Sequence, residues 1–268
     1  MSEEYLGLTN VSLEFKFPPI DIVRDGLVFA FDWTSFNGDG TLTDRSVNNY
    51  DATYSGSLTV SNSNLQFDGT SSYISFDINA NAMYNSWKWT VDTYGVINDI
   101  DTVTQYGQFI AYNGTSGVPP WSFAVQTSGS TTPDLIAYNS LVTTKDAPIT
   151  ASLTIPHQWT SIGRQSSNAI YPILSEVTLS LDTNLLSGSG TGYNPFQGRS
   201  FNGNGTLITT SSLQYFGGPE FTYNSPFGPI TFNVLSGSIK YITYYNRDLT
   251  DTEITQNNEF YLSGNPIP

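Results

Sequence analysis

DGLVFAFDW, Asp25 to Trp33, decides the fold once it is set beside LSGSIKYITYYNRDLTDTEI, Leu235 to Ile254. Each contains a short run rich in aromatic and branched residues, Leu27–Trp33 and Lys240–Tyr245, the composition of a buried strand. Between them the chain repeats the same pattern, with apolar runs at Tyr73–Phe76, Trp89–Ile97, Gln108–Tyr112, Ser122–Gln126, Leu135–Tyr138, Ile149–Ile155, Trp159–Arg164, Glu176–Leu181 and Phe201–Ile208. Asn-Gly, Asp-Gly and Gly-Ser steps punctuate them, which predicts an all-β antiparallel sandwich. The Gly/Ser/Thr-rich tracts Thr127–Pro133 and Ser187–Tyr193 read as loops. Helical signal is confined to Thr250–Asn257, where Thr250 and Glu253 stand at capping-box spacing and predict one short C-terminal helix. No internal repeat is present.

Ahead of Asp25 the stretch Val11-Ser-Leu-Glu-Phe-Lys-Phe17 alternates, with Val11, Leu13, Phe15 and Phe17 on one side of a strand, and then meets Pro18-Pro19. Proline cannot continue a ladder, so residues 1–24 read as an N-terminal arm and residues 25–268 as the sandwich. The alternative is an extra edge strand of the sandwich itself.

Five segments carry a family likeness: Asp25-Gly26-Leu27-Val28; the turn Leu42-Thr-Asp44-Arg-Ser46-Val47-Asn48-Asn49; Phe67-Asp68-Gly69-Thr-Ser-Ser-Tyr73-Ile74; Trp89-Thr-Val-Asp92-Thr-Tyr94; and Gly237 to Arg247 leading to Leu249 and Glu253-Ile254. Together they resemble the laminin-G-like domain of the concanavalin A-like lectin and glucanase superfamily, in the version found in bacteriophage structural proteins. Val47 stands where that family has glycine, and Tyr94 where it has tryptophan. The likeness covers both ends of the domain and fades from about Asn98 to Gly228. It implies a sandwich whose terminal strands lie together.

Composition narrows the function. Aromatics make up 14% of the 268 residues and the hydrophobic set 38%, enough for a core, while charged residues are only 12%. The net charge is −14, and the nine basic residues are scattered with no two adjacent. Nucleic-acid binding needs clustered cations, and an acidic chain is repelled by anionic membranes, so neither is expected as a partner. No apolar run approaches the ~20 residues of a membrane span. Ser2-Glu3-Glu4-Tyr5 lacks a signal peptide's basic and apolar regions, so synthesis in a host cytoplasm is expected.

Candidate sites follow from residue chemistry. A retaining glycosidase needs two carboxylates ~5–5.5 Å apart; for a glucanase the resemblance implies a Glu-x-Asp-x-x-Glu strand, and none exists here. Asp99 and Asp101 have strand spacing but read as a turn. His157, the one histidine, lacks a Gly-x-Ser-x-Gly partner and reads as structural. Trp87, Tyr112, Asn113 and Trp121, in or beside polar loops, could stack on and hydrogen-bond a sugar, whereas Trp33, Trp89 and Trp159 read as core. Asp39, Asp44 and Asn48 supply the hard oxygens that calcium prefers; the alternative is that they cap turns. Leu13, Phe15 and Phe17 would form the docking face of the arm. The expectation is a non-enzymatic virion protein of a bacteriophage, a capsid decoration or a tail, fibre or baseplate appendage. Its partners would be other virion proteins, copies of itself and host-surface glycans. A soluble carbohydrate-binding lectin-like module is the alternative reading, and a glycan hydrolase with carboxylates converging from separate strands is the third.

Overall fold

In the computed structural model the described residues are 20–77, 88–98, 108–115, 118–126, 134–139, 143–148, 151–152, 155–165, 175–185, 189–192, 213–218, 221–225, 228–232 and 234–268. The chain runs β1 (Leu27–Asp32), a 3-10 turn at Trp33–Ser35, β2 (Thr41–Leu42), β3 (Ala52–Ser55), β4 (Thr59–Ser61), β5 (Asn64–Asp68), β6 (Tyr73–Asp77) and β7 (Trp89–Ile97). It continues through β8 (Gln108–Thr115), β9 (Val118–Gln126), β10 (Asp134–Asn139), β11 (Thr143–Pro148), β12 (His157–Gln165), β13 (Ser175–Leu181), β14 (Asn184–Leu185) and β15 (Ser189–Gly192). Last come β16 (Leu213–Phe216), β17 (Phe221–Ser225), β18 (Gly228–Phe232), β19 (Ser236–Tyr245) and the helix α1 (Asp251–Ser263).

These strands form an eight-stranded sheet ordered β14-β13-β12-β7-β19-β5-β4, with β1 also on β19, a nine-stranded sheet ordered β15-β11-β10-β9-β8-β16-β6-β3-β2, and the hairpin β17–β18. Every ladder is antiparallel, as the run-and-turn pattern implies. The expected pairing of the terminal strands holds, with Phe29 opposite Tyr244 and Phe31 opposite Ile242.

The two sheets are buried differently. On the nine-stranded sheet β6 alternates half-buried Tyr73 and Ser75 with buried Ile74 and Phe76. On the eight-stranded sheet β1 is buried at all six positions, as are Tyr241–Tyr245 of β19. One of its faces packs Phe29, Phe31, Trp89, Trp159, Leu179 and Tyr244 against Leu42, Ile74, Phe76 and Phe216 of the other sheet. The other face packs Ala30, Ile162, Tyr241 and Tyr245 beneath Ile254, Phe260 and Tyr261 of α1. Ile22 and Val23, at the end of the stretch read as an arm, lie in that second cluster, and Val23 N–H donates to Asn257 Oδ1 at 2.9 Å.

The motif segments singled out in the sequence are the joints of this arrangement. Gly26 has φ +72°, and a Cβ there would lie 2.8 Å from Cγ of Arg247. Asn246 N–H donates to Gly26 O at 3.0 Å, and Arg247 reaches Glu253 at 2.6 Å. Thr250 caps α1 in the expected capping box with Glu253, and Gly264 closes the helix in the left-handed conformation. Asp68 Oδ1 accepts the N–H groups of Thr70, Ser71 and Ser72, while Gly69, with φ +74°, donates to Leu235 O. The Asp68 carboxyl is raised by burial, yet the N–H and hydroxyl of Ser71 and the N–H groups of Thr70 and Ser72 more than offset this and hold it well below the carboxylate range.

Several expected elements move. Ser189–Gly192, read as loop, is the edge strand β15, pinned by pairing to Thr143–Asp146. The strand β11 ends just before the run expected at Ile149–Ile155; of that run Ala151, Ser152 and Ile155 lie in no strand, and residues 149, 150, 153 and 154 lie outside the described residues. Trp33 sits half-buried in the 3-10 turn that Asp32 caps, not on a strand. Trp89 and Trp159 are core residues, as expected. Leu13, Phe15, Phe17, Trp87, Asp99, Asp101, the tract Thr127–Pro133 and the run Phe201–Ile208 lie outside the described residues.

Candidate functional site

The outward face of the nine-stranded sheet concentrates one kind of chemistry. Following the register strand by strand, Thr41 pairs with Thr53, Thr53 with Ser75, and Ser75 with Tyr215. Tyr215 then pairs with Tyr112, Tyr112 with Ser122, Ser122 with Tyr138, Tyr138 with Thr144, and Thr144 with Thr191. One register row thus crosses all nine strands with only hydroxyl-bearing residues. Its neighbours on β2, β3, β6 and β16, namely Leu42, Ala52, Ile74 and Phe216, are buried in the core, which turns Thr41, Thr53, Ser75 and Tyr215 outward. At about 4.8 Å per strand the row is roughly 40 Å long.

The described side chains of this face are ordered by one another. Thr53 Oγ1 and Ser75 Oγ share a hydrogen bond of 2.8 Å. Tyr73, on the same side of β6 as Ser75, stands edge-on to Tyr215 with ring centres 5.7 Å apart. Burial first, and then the neighbouring Tyr73, push the Tyr215 hydroxyl above its usual pKa, so it stays a neutral donor and acceptor. At the rim Asp39 Oδ1 accepts the Thr41 N–H at 3.0 Å and its hydroxyl at 2.6 Å, and Asn37 Nδ2 donates to Thr41 and Thr43. The Thr41 hydroxyl, then its N–H, hold the Asp39 carboxyl below the usual range.

Of the residues singled out for sugar binding, Tyr112, Asn113 and Trp121 come together, but on adjacent strands and not in loops. Tyr112 belongs to the hydroxyl row, whereas Asn113 pairs with Trp121 and Gln214 in the register row of Phe76. The calcium candidates have other occupations. Asp44 is buried, and its carboxylate accepts from Ala30 N, Ser46 N, Ser46 Oγ and Tyr50 N at 2.5–2.9 Å. Asn48 Nδ2 donates to the carbonyls of Leu27 and Val28, so the Asp-x-Ser-x-Asn turn stitches its loop to β1. Asp39 caps the turn before β2. Among the described residues no three His, Asp or Glu side chains are grouped to hold a metal.

His157 is buried beside Trp159, with Nδ1 2.6 Å from Asp182 Oδ2 and Nε2 2.7 Å from the Ser152 carbonyl. Facing a carbonyl, Nε2 donates, and the ring clasps the β13–β14 turn to the start of β12.

Asp92 was not singled out from the sequence. It sits mid-strand on β7, fully buried between the eight-stranded sheet and α1. Gln158 Nε2, Thr160 Oγ1 and Asn257 Nδ2 donate to its carboxylate at 2.9–3.0 Å, and Tyr261 OH does so at 3.3 Å. Burial dominates and raises its pKa to about 6, against the pull of the donors on Asn257, Gln158, Thr160 and Tyr261. A lone charge in the middle of the otherwise uncharged strand Trp89–Ile97 was the available signal. Sealed from solvent, Asp92 anchors α1 and does not face the hydroxyl row.

No protein-family profile matches the chain, and no curated protein does. Solved structures share its fold at low identity. Trypanosoma rangeli sialidase superposes with a TM-score of 0.57 at 16% identity over 88% of this chain and 33% of its own. The binding domain of botulinum neurotoxin DC in complex with rat synaptotagmin II gives 0.54 at 11% identity, over 88% of this chain and 52% of its own. The same domain in complex with SialylT gives 0.57 at 12% identity with the same coverage. The chain spans between a third and about half of these structures. The sandwich is therefore one that lectin-like binding domains and enzymes both contain. This corrects the expectation that the chain is not an enzyme, because structures named as sialidases share its fold. Among the described residues no helix is long and apolar enough to cross a membrane.

Proposed function

We propose that this chain is a lectin-like, glycan-binding module whose binding surface is the outward face of the nine-stranded sheet. The observation that carries this reading is the hydroxyl row from Thr41 to Thr191, with the Tyr73–Tyr215 pair beside it. Sugar hydroxyls both donate and accept, as Ser, Thr and Tyr hydroxyls do, and tyrosine rings offer an apolar surface to the C–H faces of a pyranose. A fold neighbour in complex with SialylT supports the class of ligand. The test is a glycan array with the intact chain and the Tyr215→Ala variant. Binding that Tyr215→Ala abolishes supports the reading, and an unbound array overturns it.

A second reading concerns where the module is carried. The stretch DIVRDGLVFAFD resembles bacteriophage chains in which this domain follows a short arm, which favours display on a virion with residues 1–24 as the docking segment. Symmetric self-association would suit such a particle. Mass spectrometry of purified particles counts the copies: hundreds fit capsid decoration, a few tens fit a fibre or baseplate, and none removes the virion from the account.

A further inference from the structure

We infer that the glycan this face takes is neutral and extended, not sialylated or otherwise anionic; the inference rests on the glycan-binding reading above. Charge carries the first half. None of the nine residues of the row is ionisable at neutral pH, and the one basic residue in the nine strands, Lys145, stands one position off the row, opposite Ala137. The charges that the described part of the face does present are negative, with exposed Asp77 on the same side of β6 as Ser75, and exposed Asp39 at the rim.

Four cations among the described residues away from this face are already engaged. Arg24 pairs with Asp21, Lys88 with Asp248, and Arg247 with Asp25 and Glu253, while Lys240 lies 5.1 Å over the Trp33 ring. A sugar carboxylate loses water on binding and needs an Arg, a Lys or a cluster of N–H donors in return. On the described part of this face it would meet hydroxyls and the carboxylates of Asp77 and Asp39, within a chain of net charge −14. A neutral polyol meets its own chemistry.

Geometry carries the second half. The row runs across the strands, not along one, so its residues recur about every 4.8 Å in a line. A line of equal contacts rewards a linear chain of sugars laid along it. Affinity should therefore rise with the number of sugar units and level off when the row is filled.

The experiment is titration calorimetry of the intact chain with neutral gluco- and galacto-oligosaccharides of increasing length, and with 3′-sialyllactose and polysialic acid, each at low and high salt. Affinity that rises with neutral chain length, does not weaken with salt, and falls about tenfold or more in Thr53→Ala/Ser75→Ala is the expected result. Asp251→Asn, which removes an exposed charge from α1 and not from this face, should leave neutral affinity within about twofold. Binding only of the sialylated probes, or salt-sensitive binding, overturns the neutral assignment while the glycan-binding reading stands. Length-independent affinity overturns the extended ligand alone. Failure to bind any probe, with the circular dichroism spectrum of the chain that of a folded β-protein, overturns both.

Discussion

The covered face of the eight-stranded sheet and the outward face of the nine-stranded sheet use similar polar residues to opposite ends. On the covered face Gln158, Thr160, Asn257 and Tyr261 converge on one carboxylate, Asp92, and no solvent reaches them. On the outward face Thr41, Thr53, Ser75 and Tyr215 lie in line across four strands and are partly open to water. A buried polar group must be satisfied within the protein, so its partners are fixed by stability. A solvated hydroxyl is satisfied by water and can exchange that water for a ligand. The difference separates two roles: the converging network holds α1 down, and the linear one, open to water, is the surface proposed to meet a ligand.

The sharpest way to break this contrast is to remove Asp92. Asp92→Ala strips the shared acceptor from four buried donors, each of which costs about 1–3 kcal/mol when unsatisfied. Some donors will find other partners, so a loss of about 4 kcal/mol in urea-unfolding stability is expected, the largest single effect in the molecule. A change below about 1 kcal/mol would mean the network is not what seats the helix.

The same carboxyl makes the contrast depend on pH. Its folded pKa, about 6, lies above the ordinary aspartate value of 3.8, so between the two the folded state holds a proton that the unfolded chain has released. The stabilising contribution is therefore fully present below about pH 4 and declines as pH rises through about 6, by about 3 kcal/mol in all. Glu253, held down to about 2 chiefly by Arg247, and Asp68 act in the opposite sense, losing stability as pH falls. The measurement is accordingly a difference: stability of the chain minus that of Asp92→Asn, from pH 4 to pH 7. A difference that does not fall over this range would show that Asp92 is ionised throughout.

How much of this was legible depended on how local each feature is. The α1 cap was readable because Thr250 and Glu253 stand three residues apart and bond to each other. The pairing of β1 with β19 was readable through motifs whose residues form the joint, such as Gly26 and Arg247. The strand β15 was not, because Ser-Gly-Thr-Gly has no strand propensity and is held by its register with β11. Tyr112 was picked for its ring, but its place in a hydroxyl row could not be, since the row draws on residues from Thr41 to Tyr215 and on registers that no local spacing encodes. Asp92 looked like one more family-strand residue until the helix that covers it was in place.

A smaller effect tests the joint that lets α1 cover its face. Gly26→Ala forces an alanine to φ +72° and sets its Cβ against the Arg247 side chain, which Glu253 pins in place. A loss of about 1–2 kcal/mol is expected. Adding Arg247→Ala removes the clash but not the backbone strain, so the double variant should be less destabilised than the sum of the singles. Strict additivity would mean that the two sites do not press on each other.

The smallest expected effect on stability is the one that matters most for function. Thr53→Ala deletes an exposed hydroxyl whose side-chain partner is Ser75, and Ser75 can turn to water instead. Unfolding free energy should move by no more than about 0.5 kcal/mol, against about 4 for Asp92→Ala. Glycan affinity should do the reverse, falling in Thr53→Ala and remaining unchanged in any Asp92 variant that still folds, Asp92→Asn for instance. If instead Asp92→Asn weakens binding while Thr53→Ala does not, the two faces have exchanged roles and the ligand is read through α1. Measuring both properties in both variants separates a surface that binds from a network that only holds.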